Sequence, residues 1–182
     1  MQQAIDPTIQ LARAYHFAAS RHVDQRRKGT AAEPYMNHLT EVAELVAEAS
    51  NCDVAVVIAA VIHDAVEDAG VTLFEIEALF GADVAGLVAE VTDDKTLDKR
   101  VRKDLQIEHA PHASPRAKLI KIADKISNLR SLGNSPPADW GAERISEYRH
   151  WSKQVVDGCR GAHSGLSQKF DEAYERAAGK RL

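Results

Sequence analysis

The sequence predicts an all-α fold, one bundle of about eight to ten helices. Three observations predict it. Apolar residues recur at i, i+3, i+4 and i+7 almost throughout. Capping residues, prolines and glycines punctuate those stripes where helices begin and end. No βαβ alternation, internal repeat or linker interrupts them.

Asp6 caps the first helix and Pro7 opens it, with Leu11, Ala14, Tyr15, Ala18, Ala19 and His22 along one stripe. A second helix is expected from about His38 to Ala49, through Leu39, Val42, Ala43 and Val46. Asp53 caps a third, running without interruption from Val54 to Asp68 and apolar almost all round, which places it at the centre of the core. Its valines also suit a buried strand, but about 14 residues without a break favour a helix. Gly70 ends it. Thr72 and Glu75 form a capping-box pattern that opens a short helix stopping at Gly81. Val84, Leu87, Val88 and Val91 make the next stripe. The stretch from Thr92 to Lys103 is dense in Asp, Lys and Arg and reads as a loop followed by a solvated helix start. Pro111 breaks the chain, Ser114-Pro115 restarts it, and Leu119, Ile122, Ile126 and Leu129 mark a buried helical face. After a turn at Asn134–Pro137, Ile145, Tyr148, Trp151 and Val155 carry an amphipathic helix, and Leu166, Phe170, Ala173 and Ala177 a terminal one.

The 182 residues are 45% hydrophobic and 27% charged, a composition that closes a core and excludes disorder. No apolar window approaches ~18 residues, so neither a membrane span nor a membrane partner is expected. The start of the chain lacks a basic segment followed by an apolar one. Secretion is therefore not expected, and Cys52 and Cys159 read as reduced thiols of a cytoplasmic protein. A net charge of −4 argues against generic nucleic-acid binding, which needs a basic footprint. Neither GxGxxG nor GxxxxGK[ST] occurs.

The chemistry concentrates in three segments. His63-Asp64 stands at the end of the most apolar helical stretch, and Glu67-Asp68 follows one turn later. At helical spacing 63/67 and 64/68 are neighbours, so an imidazole and three carboxylates share one sector. Such a cluster at a core helix end is costly if unpaired; a divalent cation removes the cost, and a solvated, capped helix terminus is the alternative. Pro34-Tyr35-Met36-Asn37-His38 places a histidine at a helix start, just after Arg26-Arg27-Lys28. Asp124 and Asn128 lie at i, i+4 on a helix whose other face is apolar. Asp124, flanked by Lys121 and Lys125, reads either as a surface ion pair or as the fourth ligand of a two-histidine, two-aspartate site.

Taken in order, Arg27-Lys28, Pro34-Tyr35 with His38, His63-Asp64 with Glu67-Asp68, Phe80-Gly81, Glu90-Val91-Thr92 with Lys95, and Lys121 with Asp124-Lys125 and Asn128-Leu129 resemble the HD-type hydrolase domain of the RelA/SpoT proteins. The likeness is closest to the small stand-alone alarmone hydrolases of the metazoan SpoT-homologue type, down to Gln106, Ala110-Pro111-His112 and Glu147-Tyr148. It runs from roughly Ile9 to Val156. Two departures are local: Thr30-Ala31-Ala32 follow Gly29 where long members are tighter, and Leu39 replaces the usual proline after the histidine.

The resemblance implies a single HD-domain helical bundle over residues 1–182 and a Mn²⁺-dependent pyrophosphohydrolase. Its substrate would be guanosine tetra- or pentaphosphate, from which it removes the 3′-diphosphate. By resemblance, His38, His63, Asp64 and Asp124 are the metal ligands, and Glu67 and Asp68 the acidic pair that orients and deprotonates water. Arg27 and Lys28 would hold the substrate near base and phosphates, Asn128 the ribose region, and Lys99, Arg144 and Tyr148 the far end. Long members add a synthetase domain; a chain of this length leaves no room for one, so hydrolysis alone is expected.

The residues agree chemically. Two imidazoles and two carboxylates make a fairly hard site that suits Mn²⁺ better than a thiolate site would. An acidic chain binding a multiply charged nucleotide needs a local basic patch, which Arg27, Lys28, Lys95, Lys99 and Arg144 can supply. Two other readings keep parts of this picture. One is a phosphatase acting on NADPH or another 2′- or 3′-phosphorylated nucleotide through the same metal site. The other is an idle nucleotide-binding helical module, disfavoured because every ligand and acid position is filled. His22, on an apolar stripe, reads as a hydrogen-bonded core residue rather than a ligand.

Overall fold

A computed structural model describes residues 6–179. Among them are ten α-helices and one 3₁₀ turn, with no strand beyond a single bridge between Arg26 and Pro34. The helices are α1 (Pro7–Arg21), α2 (Met36–Ala49), α3 (Val54–Ile62), α4 (Ala65–Ala69), α5 (Leu73–Phe80), α6 (Ala82–Val91), α7 (Lys99–His109), α8 (Pro115–Asn134), α9 (Ala142–Cys159) and α10 (Ser164–Arg176), with the 3₁₀ turn at Ala110–His112. Among the described residues no helix is long and apolar enough to cross a membrane.

The local signals account for most of these boundaries. Asp6 accepts from Thr8 N, Asp53 from Ala55 N and Val56 N, and Ser114 from Ala117 N, each satisfying an otherwise orphaned first-turn donor. Thr72 and Glu75 form the reciprocal capping box. Gly70 closes α4 at φ +67°, a left-handed conformation that glycine adopts without the Cβ clash.

The third helix is the main departure. The expected unbroken run from Val54 to Asp68 is two helices, α3 and α4, parted by His63 and Asp64. Two features mark the break. The ring nitrogen Nδ1 of His63 takes the Ala60 carbonyl at 2.8 Å, a side-chain cap on the last turn of α3. Asp64 follows at φ −92°, ψ −1°, at the edge of the right-handed helical region. The second helix begins at Met36, two residues before its expected start.

Seven of the nine α3 residues are buried, so α3 is the centre of the core, as its all-round apolar pattern predicts. It packs on α1, α2, α6 and α8, and α8 carries α10 and α9 on its other sides. Ile62, Ile122, Leu129 and Phe170 are completely enclosed, each worth ~1.5–3 kcal/mol relative to exposure. By contrast α7 buries no residue, as its charged composition predicts.

One close approach positions the basic loop. A Cβ on Gly29 would lie 2.1 Å from the Ser135 carbonyl oxygen. The three-residue departure after Gly29 is pinned to the same turn: Ala31 N donates to Ser135 Oγ at 2.8 Å and Thr30 N to the Pro136 carbonyl at 3.3 Å. Arg27 and Lys28 are thereby laid along the C-terminal half of α8.

Candidate metal centre and substrate cleft

Two helices and one helix break converge on a single point. His38 comes from the first turn of α2, His63 and Asp64 from the α3–α4 break, and Asp124 from the middle of α8. His38, His63 and Asp124 each offer a ligand atom within 4.8 Å of the others. Asp64 stands beside this triad, its Oδ2 3.2 Å from His63 Nε2 and 3.6 Å from His38 Nε2. Oδ1 of Asp124 lies 3.3 Å from His38 Nε2 and 3.9 Å from His63 Nε2.

Both Nε2 atoms are buried and neither has a hydrogen-bond partner. Their rings are 1% and 5% exposed, so solvent does not satisfy them. Two orphaned imidazole nitrogens facing two carboxylates are an expensive arrangement unless something cationic sits between them. A divalent cation fits this donor set, and these four side chains are the ones that could hold it. The two histidines respond oppositely to the shared field. Burial lowers the pKa of His38, outweighing Asp124. At His63 burial also lowers it, but the Asp64 and Asp124 carboxylates and the Ala60 carbonyl win and raise it to about 9.

These candidate side chains are held by neighbours. Asn128 Nδ2 donates to Asp124 Oδ1 at 2.7 Å, and the buried Lys125 Nζ to Oδ2 at 2.8 Å. Burial raises the Asp124 pKa, but Lys125 and the two histidines overcome it and keep the carboxyl well below its usual range. Tyr35 Oη donates to Asp64 Oδ2 at 2.6 Å. Burial and the Asp64 charge raise the phenol's pKa, so it remains a donor. Sequence reasoning saw Tyr35 only as part of a motif; its position three residues before His38, on the same helical face, is the signal that could have assigned it.

Glu67 and Asp68 sit in the same cleft with different environments. Glu67 Oε1 accepts from Asp93 N at 2.7 Å, and its Oε2 lies 3.2 Å from Lys95 Nζ. Asp68 accepts from Lys95 Nζ at 3.0 Å and from Gln25 Nε2 at 3.0 Å. Burial, with the Asp93 and Asp64 charges, raises the pKa of Glu67. Burial acts the same way on Asp68, but hydrogen bonds from Lys95 and Gln25 outweigh it and its pKa falls. Two adjacent carboxylates pushed apart in this way suit different tasks.

Every substrate contact expected from the sequence lines one cleft of about 590 Å³: Arg27, Lys28, Lys99, Asn128, Arg144 and Tyr148. Arg27 is already engaged by α8, donating to Ser131 Oγ at 3.1 Å and Asn128 Oδ1 at 3.1 Å. Arg144 lies over the Trp140 ring at 4.6 Å. The sequence missed how much of the cleft wall is built from α7, α8 and α9 together. Lys103 and Lys125 both stand over Trp151, at 4.6 and 4.5 Å, and Lys121 and Trp140 complete that wall. Burial and neighbouring cations lower the pKa of Lys103 and Lys121, the mark of a region crowded with positive charge. The i, i+4 pairs Lys99/Lys103 and Lys121/Lys125 were the available signal. His22 is buried, with Nδ1 against Gln25 Oε1, as expected of a core histidine.

Residues 14–148 match the sequence model of the HD domain. The chain belongs to the HD-domain family. This HD domain is 49% identical over 162 residues to the Xenopus tropicalis guanosine-3′,5′-bis(diphosphate) 3′-pyrophosphohydrolase MESH1, covering 88% of this chain and 90% of that protein. It is 48% identical over 168 residues to the Homo sapiens protein of the same name, covering 92% and 94%. Among solved structures, a metazoan orthologue of SpoT described as hydrolysing ppGpp matches it with a TM-score of 0.88 at 44% identity, over 95% of this chain and 98% of that one.

Proposed function

We propose that this HD domain, spanning residues 1–182, is a guanosine-3′,5′-bis(diphosphate) 3′-pyrophosphohydrolase, converting ppGpp or pppGpp and water to GDP or GTP and pyrophosphate. The observation that carries the reading is one continuous cleft. It has two orphaned imidazole nitrogens facing two carboxylates at its base, an acidic pair beside them, and a wall of lysine and arginine at the other end. The similarity to the pyrophosphohydrolases over nearly their whole length supports the same substrate class.

His38, His63, Asp64 and Asp124 hold the divalent cation, Mn²⁺ in this reading. When bound, it polarises the scissile phosphate and acidifies the attacking water. Asn128, Lys125 and Tyr35 fix the carboxylates of Asp124 and Asp64 in place. Glu67, the carboxylate of raised pKa, takes the proton from water, while Asp68, tied to Lys95 and Gln25, orients the site. A bond forms from the water oxygen to the phosphorus attached at O3′, the bond from that phosphorus to O3′ breaks, and O3′ regains a proton. Arg27 and Lys28 hold the phosphates near the base, Asn128 faces the ribose, and Lys99, Arg144 and Tyr148 receive the 5′ end. A cytoplasmic location is part of this reading, consistent with two cysteines that are both free thiols.

The test is purified protein with Mn²⁺ offered guanosine tetraphosphate and, separately, NADPH. Pyrophosphate released from the first supports the proposal. Phosphate released from NADPH, with guanosine tetraphosphate untouched, replaces it with the phosphatase reading.

A further inference from the structure

His38 and His63 need the same tautomer to present Nε2 to a cation, but they are held in it by different means. The Nδ1 partner of His63 is the Ala60 carbonyl, which can only accept, so that nitrogen must carry the proton. The Nδ1 partner of His38 is the hydroxyl of Ser127, at 2.9 Å, and a hydroxyl can donate or accept. By itself that contact leaves the tautomer open. The competing form, with the proton on Nε2, faces Asp124 Oδ1 at 3.3 Å, and it cannot ligate.

The ambiguity is removed one residue further out. Ser127 Oγ lies 2.6 Å from Glu41 Oε2, and an ionised carboxylate only accepts. The single hydroxyl hydrogen of Ser127 is thereby committed to Glu41, and its oxygen must accept from His38. Arg130 donates to the other oxygen of Glu41, Oε1, at 2.8 Å, which fixes the carboxylate's orientation. The guanidinium of Arg27 also reaches Ser127 Oγ, at 3.5 Å, as a second donor to it. Ser127 is 0% exposed, so bulk solvent does not compete for its hydroxyl.

We infer that Glu41 and Ser127 are positioning residues: a directed chain from Glu41 through Ser127 holds the proton of His38 on Nδ1 and so keeps Nε2 free to ligate a divalent cation. This rests on His38 being a metal ligand, as proposed above.

Glu41→Gln tests it without changing shape. Arg130 keeps an oxygen facing it, so the new amide group faces Ser127 and donates. Ser127 then turns its hydrogen toward His38 Nδ1, and the proton moves to Nε2. In the metal-free protein, ¹⁵N NMR of the histidine rings should show His38 protonated at Nδ1 in the wild type and at Nε2 in Glu41→Gln. Mn²⁺ titration should show affinity weaker by about 10–100-fold, the usual consequence of losing a partner behind a ligating histidine. Ser127→Ala should also weaken Mn²⁺ binding, and Ser127→Thr should retain it. Glu41→Gln with His38 still protonated at Nδ1 and unchanged Mn²⁺ affinity would overturn the inference, as would a wild-type His38 already protonated at Nε2. Wild-type protein with the expected tautomer but no affinity for Mn²⁺ overturns the metal-site reading instead, and with it the purpose assigned to the chain.

Discussion

Tyr35 and Asp64, 29 residues apart in sequence, are joined by a 2.6 Å hydrogen bond to the carboxylate oxygen that also faces the Nε2 atoms of both histidines. The bond spans the α2 start and the α3–α4 break, so it fixes the angle at which Asp64 enters the site. Tyr35→Phe removes the donor and keeps the ring, which packs against His38 at 5.3 Å between centroids. Mn²⁺ affinity or kcat should fall by about 10–100-fold with thermal stability little changed. Metal titration and a melting curve check this, and unaltered affinity and rate would make Tyr35 a packing residue only.

Glu67 and Asp68 should separate on mutation. Glu67→Gln keeps the hydrogen bond from Asp93 N but removes the carboxylate whose pKa is raised, so kcat should fall by ~10²–10⁴ while metal remains bound. Asp68→Asn, which loosens contacts to Lys95 and Gln25, should cost less in kcat than Glu67→Gln. Steady-state kinetics with metal analysis of each variant decides it; the reverse order would make Asp68 the base.

Lys95 sets the pH dependence of that pair. Burial raises the pKa of Glu67, and Lys95 opposes the rise. A base works only when deprotonated, so removing Lys95 should push Glu67 higher and move the acid limb of kcat/KM to higher pH. Asp68 has the opposite sign: its folded pKa is depressed. Its stabilisation is present above the unfolded value of about 3.9 and is lost as pH falls through the folded one. Lys95→Ala should therefore also shrink the loss of stability seen on acidification. An acid limb that stays put in Lys95→Ala would separate Lys95 from the base.

The far wall should act on binding rather than on chemistry. Lys99 and Arg144 line the cleft from α7 and α9, whereas the acidic pair is carried on α4. Lys99→Ala with Arg144→Ala should raise KM for guanosine tetraphosphate far more than it lowers kcat, and the effect should shrink at high salt, where exposed charges are screened beyond ~8–10 Å. Equal losses for a nucleotide carrying only the 3′-diphosphate would show that neither residue reads the 5′ end.

Much of this was legible in the chain because it is local. The caps at Asp6, Asp53, Thr72 and Ser114 satisfy first-turn donors two or three residues away. The stop at Gly70 follows from one residue's backbone freedom. The buried faces of α3 and α8 follow from periodicity. The break after Ile62 was not legible, because the same apolar residues that propagate a helix run straight up to it. What marks the end of α3 is the His63 ring turning back onto Ala60, with the Asp64 backbone at the edge of the helical region.

The sequence by itself determined most of the helix boundaries and their buried faces, since each depends on neighbours within one or two turns. Tertiary structure alone decided that Tyr35 steadies Asp64, that Ser127 lies between His38 and Glu41, and that Lys103 and Lys125 both stand over Trp151. The contacts of the first two cases join residues 29, 89 and 86 positions apart. The physical reason is that helical spacing dictates which side chains share a face, whereas the packing of α2, α7 and α9 around α3 and α8 dictates which faces meet.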